Sequence, residues 1–150
     1  MRKWTIKFFS VVVALLMLSA CVKEKKTVKN KMLLLQAYIS DSLNIAQKQK
    51  SNLNIIVASP NTCPSCVKKI FYISQKNKEN WYIVADLKTK RQYSNFDCTV
   101  VVDTMENIFN YLPGPRYENK LVLIRENKVK KVYPLYLTNI DSVVHYIEEK

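Results

Sequence analysis

Glycine is almost missing. The 150 residues hold one, Gly114, where ordinary usage of roughly 7% would give about ten. That excludes a Gly-rich phosphate loop, a dinucleotide fingerprint and a Gly-Ser linker. Histidine also occurs once, at His145, so neither an H-E-x-x-H motif nor a His-rich zinc site can be built. A Ser-His-acid triad would need that residue, and no G-x-S-x-G supplies its serine. Acidic residues are scarce: 12 against 24 Lys and Arg, a net charge of +12. Such a balance points to nucleic acid, an anionic membrane or acidic partners. The nine tyrosines and two tryptophans show no fixed spacing with Lys or Arg, so no nucleic-acid partner is expected. The composition, 48% hydrophobic and 24% charged, suits a single globular domain.

No apolar run is long enough to span a bilayer either. Phe8 to Ala20 is uninterrupted but holds 13 residues, short of the ~20 a span needs. It follows a basic head with Arg2, Lys3 and Lys7, the pattern of a signal peptide over residues 1–20. The run ends Leu18-Ser19-Ala20-Cys21, which resembles the bacterial lipobox. The resemblance implies cleavage before Cys21 and acylation of its thiol. The mature chain would then carry 21 bases and 12 acids, or +9. Residues 21–31 read as the lipidated N-terminus and a basic spacer, with residues 32–150 as the domain. Val22 follows the cysteine where Asp would mark inner-membrane retention, so outer-membrane delivery is favoured in a two-membrane cell.

Within the domain, strong helix formers and an apolar set at Leu34, Leu35, Tyr38, Ile39 and Leu43 predict a helix from Met32 to about Lys50. Asn54–Ala58, Trp81–Ala85 and Cys98–Asp103 are β-branched or aromatic runs with polar bounds, and read as strands. Val67, Ile70, Phe71 and Ser74 recur at helical spacing after Pro64. Lys88–Asp97 carries no pattern. Thr104 is the expected cap of a helix through Met105, Ile108, Phe109 and Leu112, stopped by Pro113-Gly114-Pro115. Lys120–Arg125 and Val129–Tyr133, joined by Glu126-Asn127-Lys128, predict a β-hairpin. Thr138 and Asp141 suggest a capping box before a last helix faced by Ile140, Val143, Val144 and Ile147. Strands alternating with helices predict an α/β fold: a mixed sheet covered on both faces, with an antiparallel hairpin at one edge.

The chemistry sits at Cys63-Pro64-Ser65-Cys66. Thiols three apart on a helix share a face about 5–6 Å apart, within disulfide reach. Cys63 at the helix N-cap meets free N–H groups and the positive dipole end, which favour thiolate. Thiolate is the attacking species in disulfide exchange. Cys63 is therefore the candidate nucleophile and Cys66, one turn further on, the resolving thiol of a Cys63–Cys66 redox disulfide. Lys68 and Lys69 would add at most a modest positive field and read chiefly as solvated side chains. Cys98 reads as a buried core thiol and His145 as a surface or boundary residue.

From Leu53 to Lys150 the chain resembles the thioredoxin superfamily, in particular the membrane-anchored thioredoxin-like oxidoreductases of bacterial envelopes. Strand, C-x-x-C, helix, strand, middle helix, β-hairpin and C-terminal helix come in that family's order. LVLIRENKVKKVYPLYLTNIDSVVHYIEE is especially like its last third. The resemblance implies a monomeric oxidoreductase without cofactor. It would act on envelope protein thiols and disulfides, be recharged by a redox-recycling partner and be held to the membrane by its lipid. It also implies a cis-proline before the hairpin that contacts substrate; Pro115 is the candidate and Pro113 the second. Two positions depart from the family: Thr62 replaces the usual Trp, and Arg116–Lys120 lengthens the approach to the hairpin.

Two other readings use the same residues. Thr62-Cys63-Pro64-Ser65-Cys66-Val67-Lys68-Lys69-Ile70 is similar to the T-C-x-x-C core of heavy-metal-associated domains, which implies Cu(I) held by two thiolates. Asn61 stands where that family has Met, and its shorter fold leaves the C-terminal hairpin unused. A zinc site would need Cys98 and His145 as further ligands, without ligand spacing. The last reading is a non-catalytic binding lipoprotein of thioredoxin-like fold.

Overall fold

Strand β1 (Leu53–Val57) is buried along its whole length, as a run apolar on both sides requires of a central strand. It is the middle of a five-stranded sheet of order β3-β2-β1-β4-β5. β2 (Trp81–Ala85) runs parallel to β1, and β3 (Val100–Val102) parallel to β2. On the other side β4 (Lys120–Arg125) is antiparallel to β1 and pairs with β5 (Lys128–Pro134) as a hairpin. The computed structural model describes residues 27–45, 52–61, 63, 65–66, 68–70, 72, 80–92 and 99–148. The leader, Cys21, Cys98, Thr62, Pro64, Val67, Phe71 and Ser74 lie outside the described residues. No helix among those described is long and apolar enough to cross a membrane.

Strand alternation sorts the core into two layers. Ile56, Leu121 and Leu123 join Ile70, Ile140 and Val144 on one face. Leu53, Ile55, Val122 and Ile124 join Leu35, Ile39, Ile108 and Phe109 on the other. Each such side chain contributes roughly 1.5–3 kcal/mol on burial. The first face carries α2, described at residues 65–66, 68–70 and 72, and α5 (Ile140–Glu148). The second carries α1, over residues 27–37, and α4 (Ile108–Tyr111). The molecule is thus a single α/β domain, a thioredoxin-like mixed sheet flanked by helices.

Several boundaries differ from the sequence reading. α1 is already helical at residue 27, inside the expected spacer, and passes into a π-helical turn at Tyr38–Ser42. Ser40 Oγ donates to the Gln36 carbonyl at 2.8 Å and Leu43 N–H to the Tyr38 carbonyl at 3.2 Å; such side-chain back-bonding loosens a helix. Leu35, Ile39 and Leu43 are buried, while Leu34 is exposed.

The unassigned segment contains a helix, α3 (Leu87–Gln92), opened by Asp86 Oδ1 accepting the Thr89 N–H at 2.5 Å. α4 starts later than expected, because Glu106 adopts a left-handed φ of 53°. Asn107 stands at its N-cap without a side-chain bond, and the side chain that receives its first N–H is that of Asp103, not Thr104. One carboxylate oxygen takes the Ile108 N–H at 2.8 Å and the other the Tyr38 hydroxyl at 2.9 Å. Met105 is exposed. The hairpin turn holds two residues, not three: Glu126 and Asn127, with φ of 52° and 59°, as a type I′ turn requires. Before α5 the organising side chain is Asn139. Its Oδ1 accepts the Tyr136 N–H at 2.7 Å and its Nδ2 donates to the Pro134 carbonyl at 3.1 Å.

Candidate redox site

The site grows from the end of β1. Ala58 N–H donates to the Val84 carbonyl at 2.8 Å and prolongs the parallel pairing by one residue. The chain then turns at Pro60 and Asn61. Ser59, 2% exposed, holds this turn from three sides. Its N–H donates to Asn119 Oδ1 at 2.9 Å, its hydroxyl to the Tyr117 carbonyl at 2.6 Å, and its Oγ accepts the Asn61 N–H at 3.2 Å. The segment before β4 is thereby fastened to the segment before the two cysteines.

Cys63 precedes the first described turn of α2. Its Sγ accepts the Cys66 N–H at 3.2 Å, the bond a capping side chain makes to the third helical residue. Cys63 and Cys66 stand at disulfide distance, with Cα atoms 5.2 Å apart. Cys63 is exposed and Cys66 half-buried. The sulfur on Cys63 therefore receives a first-turn helix N–H, that of Cys66, whose partial positive charge favours its anion whenever the bond is open. Such a pair is chemically able to cycle between dithiol and disulfide.

Lys68 is solvated, as expected, and Lys69 is engaged away from the cysteines. Lys69 forms an ion pair with Asp141 of α5 and donates to the Leu137 carbonyl at 3.4 Å. Its charge is spent on α5, while Lys68 is exposed. His145 lies exposed on α5.

The proline expectation needs correction. No described peptide bond is cis, so neither Pro113 nor Pro115 is the cis-proline the resemblance implied. Instead Tyr117 to Asn119 occupies the approach to β4 and bonds to Ser59. Pro115 lines a separate pocket of about 240 Å³ with Pro113, Glu118, Lys120, Pro134 and Tyr136. Lys120 is paired with Val57 of β1, which puts this pocket at the same end of the sheet as the cysteines. Its side chain follows Val122 and Ile124 onto the face of α1 and α4.

Lys120 is 2% exposed and bonds Glu118 at 2.8 Å, and Glu118 accepts the Tyr136 hydroxyl at 3.2 Å. The Lys120 hydrogen bond holds the Glu118 carboxyl below its usual range. Desolvation, then Glu118, raises the Tyr136 phenol. Sequence reasoning missed Ser59, Glu118, Asn119, Lys120 and Tyr136. One signal was present: Glu118 and Lys120 stand two apart beside an apolar run, and so share one side of an extended chain.

Neither a comparison with protein-family models nor one with curated proteins finds a match for this chain.

Proposed function

We propose that the chain is a thiol–disulfide oxidoreductase of the bacterial envelope, anchored by lipid on Cys21. The observation that carries the redox reading is the capped, helix-terminal pair: Cys63 Sγ receives the Cys66 N–H and the two Cα atoms are 5.2 Å apart. The leader and the Leu18-Ser19-Ala20-Cys21 pattern support the anchor.

In the reducing direction the Cys63 thiolate attacks one sulfur of a client disulfide. A mixed disulfide forms and the client's other sulfur leaves as thiolate. Cys66, losing its proton, then attacks Cys63 Sγ and releases the second client thiolate. Two electrons pass to the client, two protons are taken up by its thiolates, and the Cys63–Cys66 bond remains. A dithiol partner restores the pair. The oxidising direction is the same sequence reversed, and the reduction potential decides between them.

The test is equilibration of the full-length mature protein in glutathione buffers, with the pair's state read by alkylation and mass. A potential near about −270 mV marks a reductant and one near about −120 mV an oxidant. Cys66→Ser should accumulate mixed disulfides with envelope proteins and Cys63→Ser should not. A native Cys63–Cys66 disulfide that never exchanges with any thiol, together with no mixed disulfide in Cys66→Ser, overturns the reading.

A further inference from the structure

We infer that the outer side of α1 lies on an anionic bilayer surface, so that the protein is oriented by the membrane as well as tethered to it. This rests on the reading of Cys21 as acylated. Leu33 and Leu34 are 59% and 55% exposed. No other described helix or strand carries more than one exposed large hydrophobic side chain. Leu33 and Leu34 bracket the side of α1 opposite Leu35, which is fully buried in the core. They therefore point away from the sheet while Leu35 and Ile39 hold the helix to it.

Basic side chains come first along this helix, and the first acid after them is the exposed Asp41. Lys29 and Lys31 are exposed on the same helix, and residues 27–40 contain no Asp or Glu. Gln36 donates from Nε2 to the Asn127 carbonyl at 2.7 Å, which sets Asn127, flanked by exposed Glu126 and Lys128, beside α1. Exposed leucines on a helix whose first charges are Lys29 and Lys31 match the boundary between acyl chains and anionic head groups.

Chain length selects lipid as the occupant. Cys21 precedes Thr27 by six residues, and at 3.3–3.6 Å per residue this span cannot exceed about 22 Å. An acylated Cys21 therefore keeps Thr27 of α1 within about 22 Å of the bilayer surface, whatever path the intervening residues take. α1 and α2 pack on opposite faces of the sheet. Seating α1 on the bilayer turns the α2 face, with its cysteine pair, toward the aqueous phase and its clients.

The experiment uses the mature lipidated protein in vesicles of phosphatidylglycerol and phosphatidylethanolamine, with mass spectrometry to establish acylation of Cys21. Leu34→Trp reports on α1 and Leu137→Trp, on the α5 side, serves as its counterpart; the unsubstituted protein gives the background from buried Trp81. With acyl chains brominated near the head groups, the residue-34 emission should shift to the blue and lose more than about half its intensity, as an insertion depth of 5–10 Å implies. The residue-137 emission should keep its intensity. Lys29→Glu with Lys31→Glu, or phosphatidylcholine vesicles, should weaken the residue-34 quenching. An acylated protein with no quenching at residue 34 overturns the docking and leaves the anchor intact. So does equal quenching at both positions, or a dimer that shields residue 34. An unacylated Cys21 removes the anchor reading and the docking with it.

Discussion

The two faces of the sheet hold their helices in opposite ways. α1 and α4 are tied together by a buried polar knot, in which Asp103, 4% exposed, takes the Tyr38 hydroxyl and the Ile108 N–H. α2 is tied to α5 by the Lys69–Asp141 pair, whose side chains are 31% and 73% exposed. A buried carboxylate that loses its partners costs the full desolvation penalty; an exposed ion pair is worth at most about 1 kcal/mol. The face behind the site thus carries the fixed scaffold, and the face bearing the cysteines is fastened at its rim by contacts that water can replace.

The largest contrast should come from Cys63→Ser. Exchange with a dithiol-quenched fluorescent peptide should be abolished while the thermal midpoint stays near that of the reduced native chain. A variant retaining exchange would move the chemistry away from the capped sulfur. Ile39→Ala does the reverse. Emptying a fully buried site under α1 should cost about 2–5 kcal/mol in urea unfolding, with the reduction potential unchanged.

Asp103→Ala comes next, at about 1–3 kcal/mol, since both Tyr38 and Ile108 lose a partner. pH sharpens the same point. Burial, then the bond to Asp103, pushes the Tyr38 phenol from 10.0 up to about 12. A raised folded-state pKa means that the stabilisation is complete below pH 10 and drains away as pH rises toward 12. Chemical unfolding across pH 9–12 should show this loss in the native chain and a weaker one in Tyr38→Phe.

Asp141→Asn, the counterpart on the site face, should cost less than about 1 kcal/mol and less still in high salt. Thr104→Ala should stay within about 0.5 kcal/mol, as an exposed residue without a capping role; a larger loss would return the cap of α4 to Thr104.

What could be read from the sequence was what burial periodicity writes there. The runs Asn54–Ala58, Trp81–Ala85 and Lys120–Arg125 are apolar on both sides because both sides are covered, and their strands were found within a residue. The C-x-x-C spacing survives as a contact because its partners are neighbours in the chain. α3 escaped because its buried residue is Thr89 while Leu87, its one apolar residue, is exposed beside Lys88, Lys90 and Arg91, so no apolar stripe marks it. Leu34 and Leu35 are equally apolar; only the packing of Ile39 and Leu43 selects Leu35. Asp103 and Thr104 are both good caps, and the choice falls to Asp103 because Tyr38, 65 residues away, reaches it. Ser59 with Asn119 is a partnership across 60 residues, for which local pattern holds no sign.

The ends of the sheet bear on crowding. A strand edge with free N–H and C=O groups invites another chain to continue the sheet. β3, at one edge, is only three residues long. β5, at the other, is irregular beside Leu123 and Ile124, carries exposed Lys128, Lys130 and Lys131, and closes on Pro134, which has no N–H to offer. Neither border can template a long flat ladder. Copies held close together at high local concentration therefore meet as finished, mutually repelling units rather than as strands of a growing fibre.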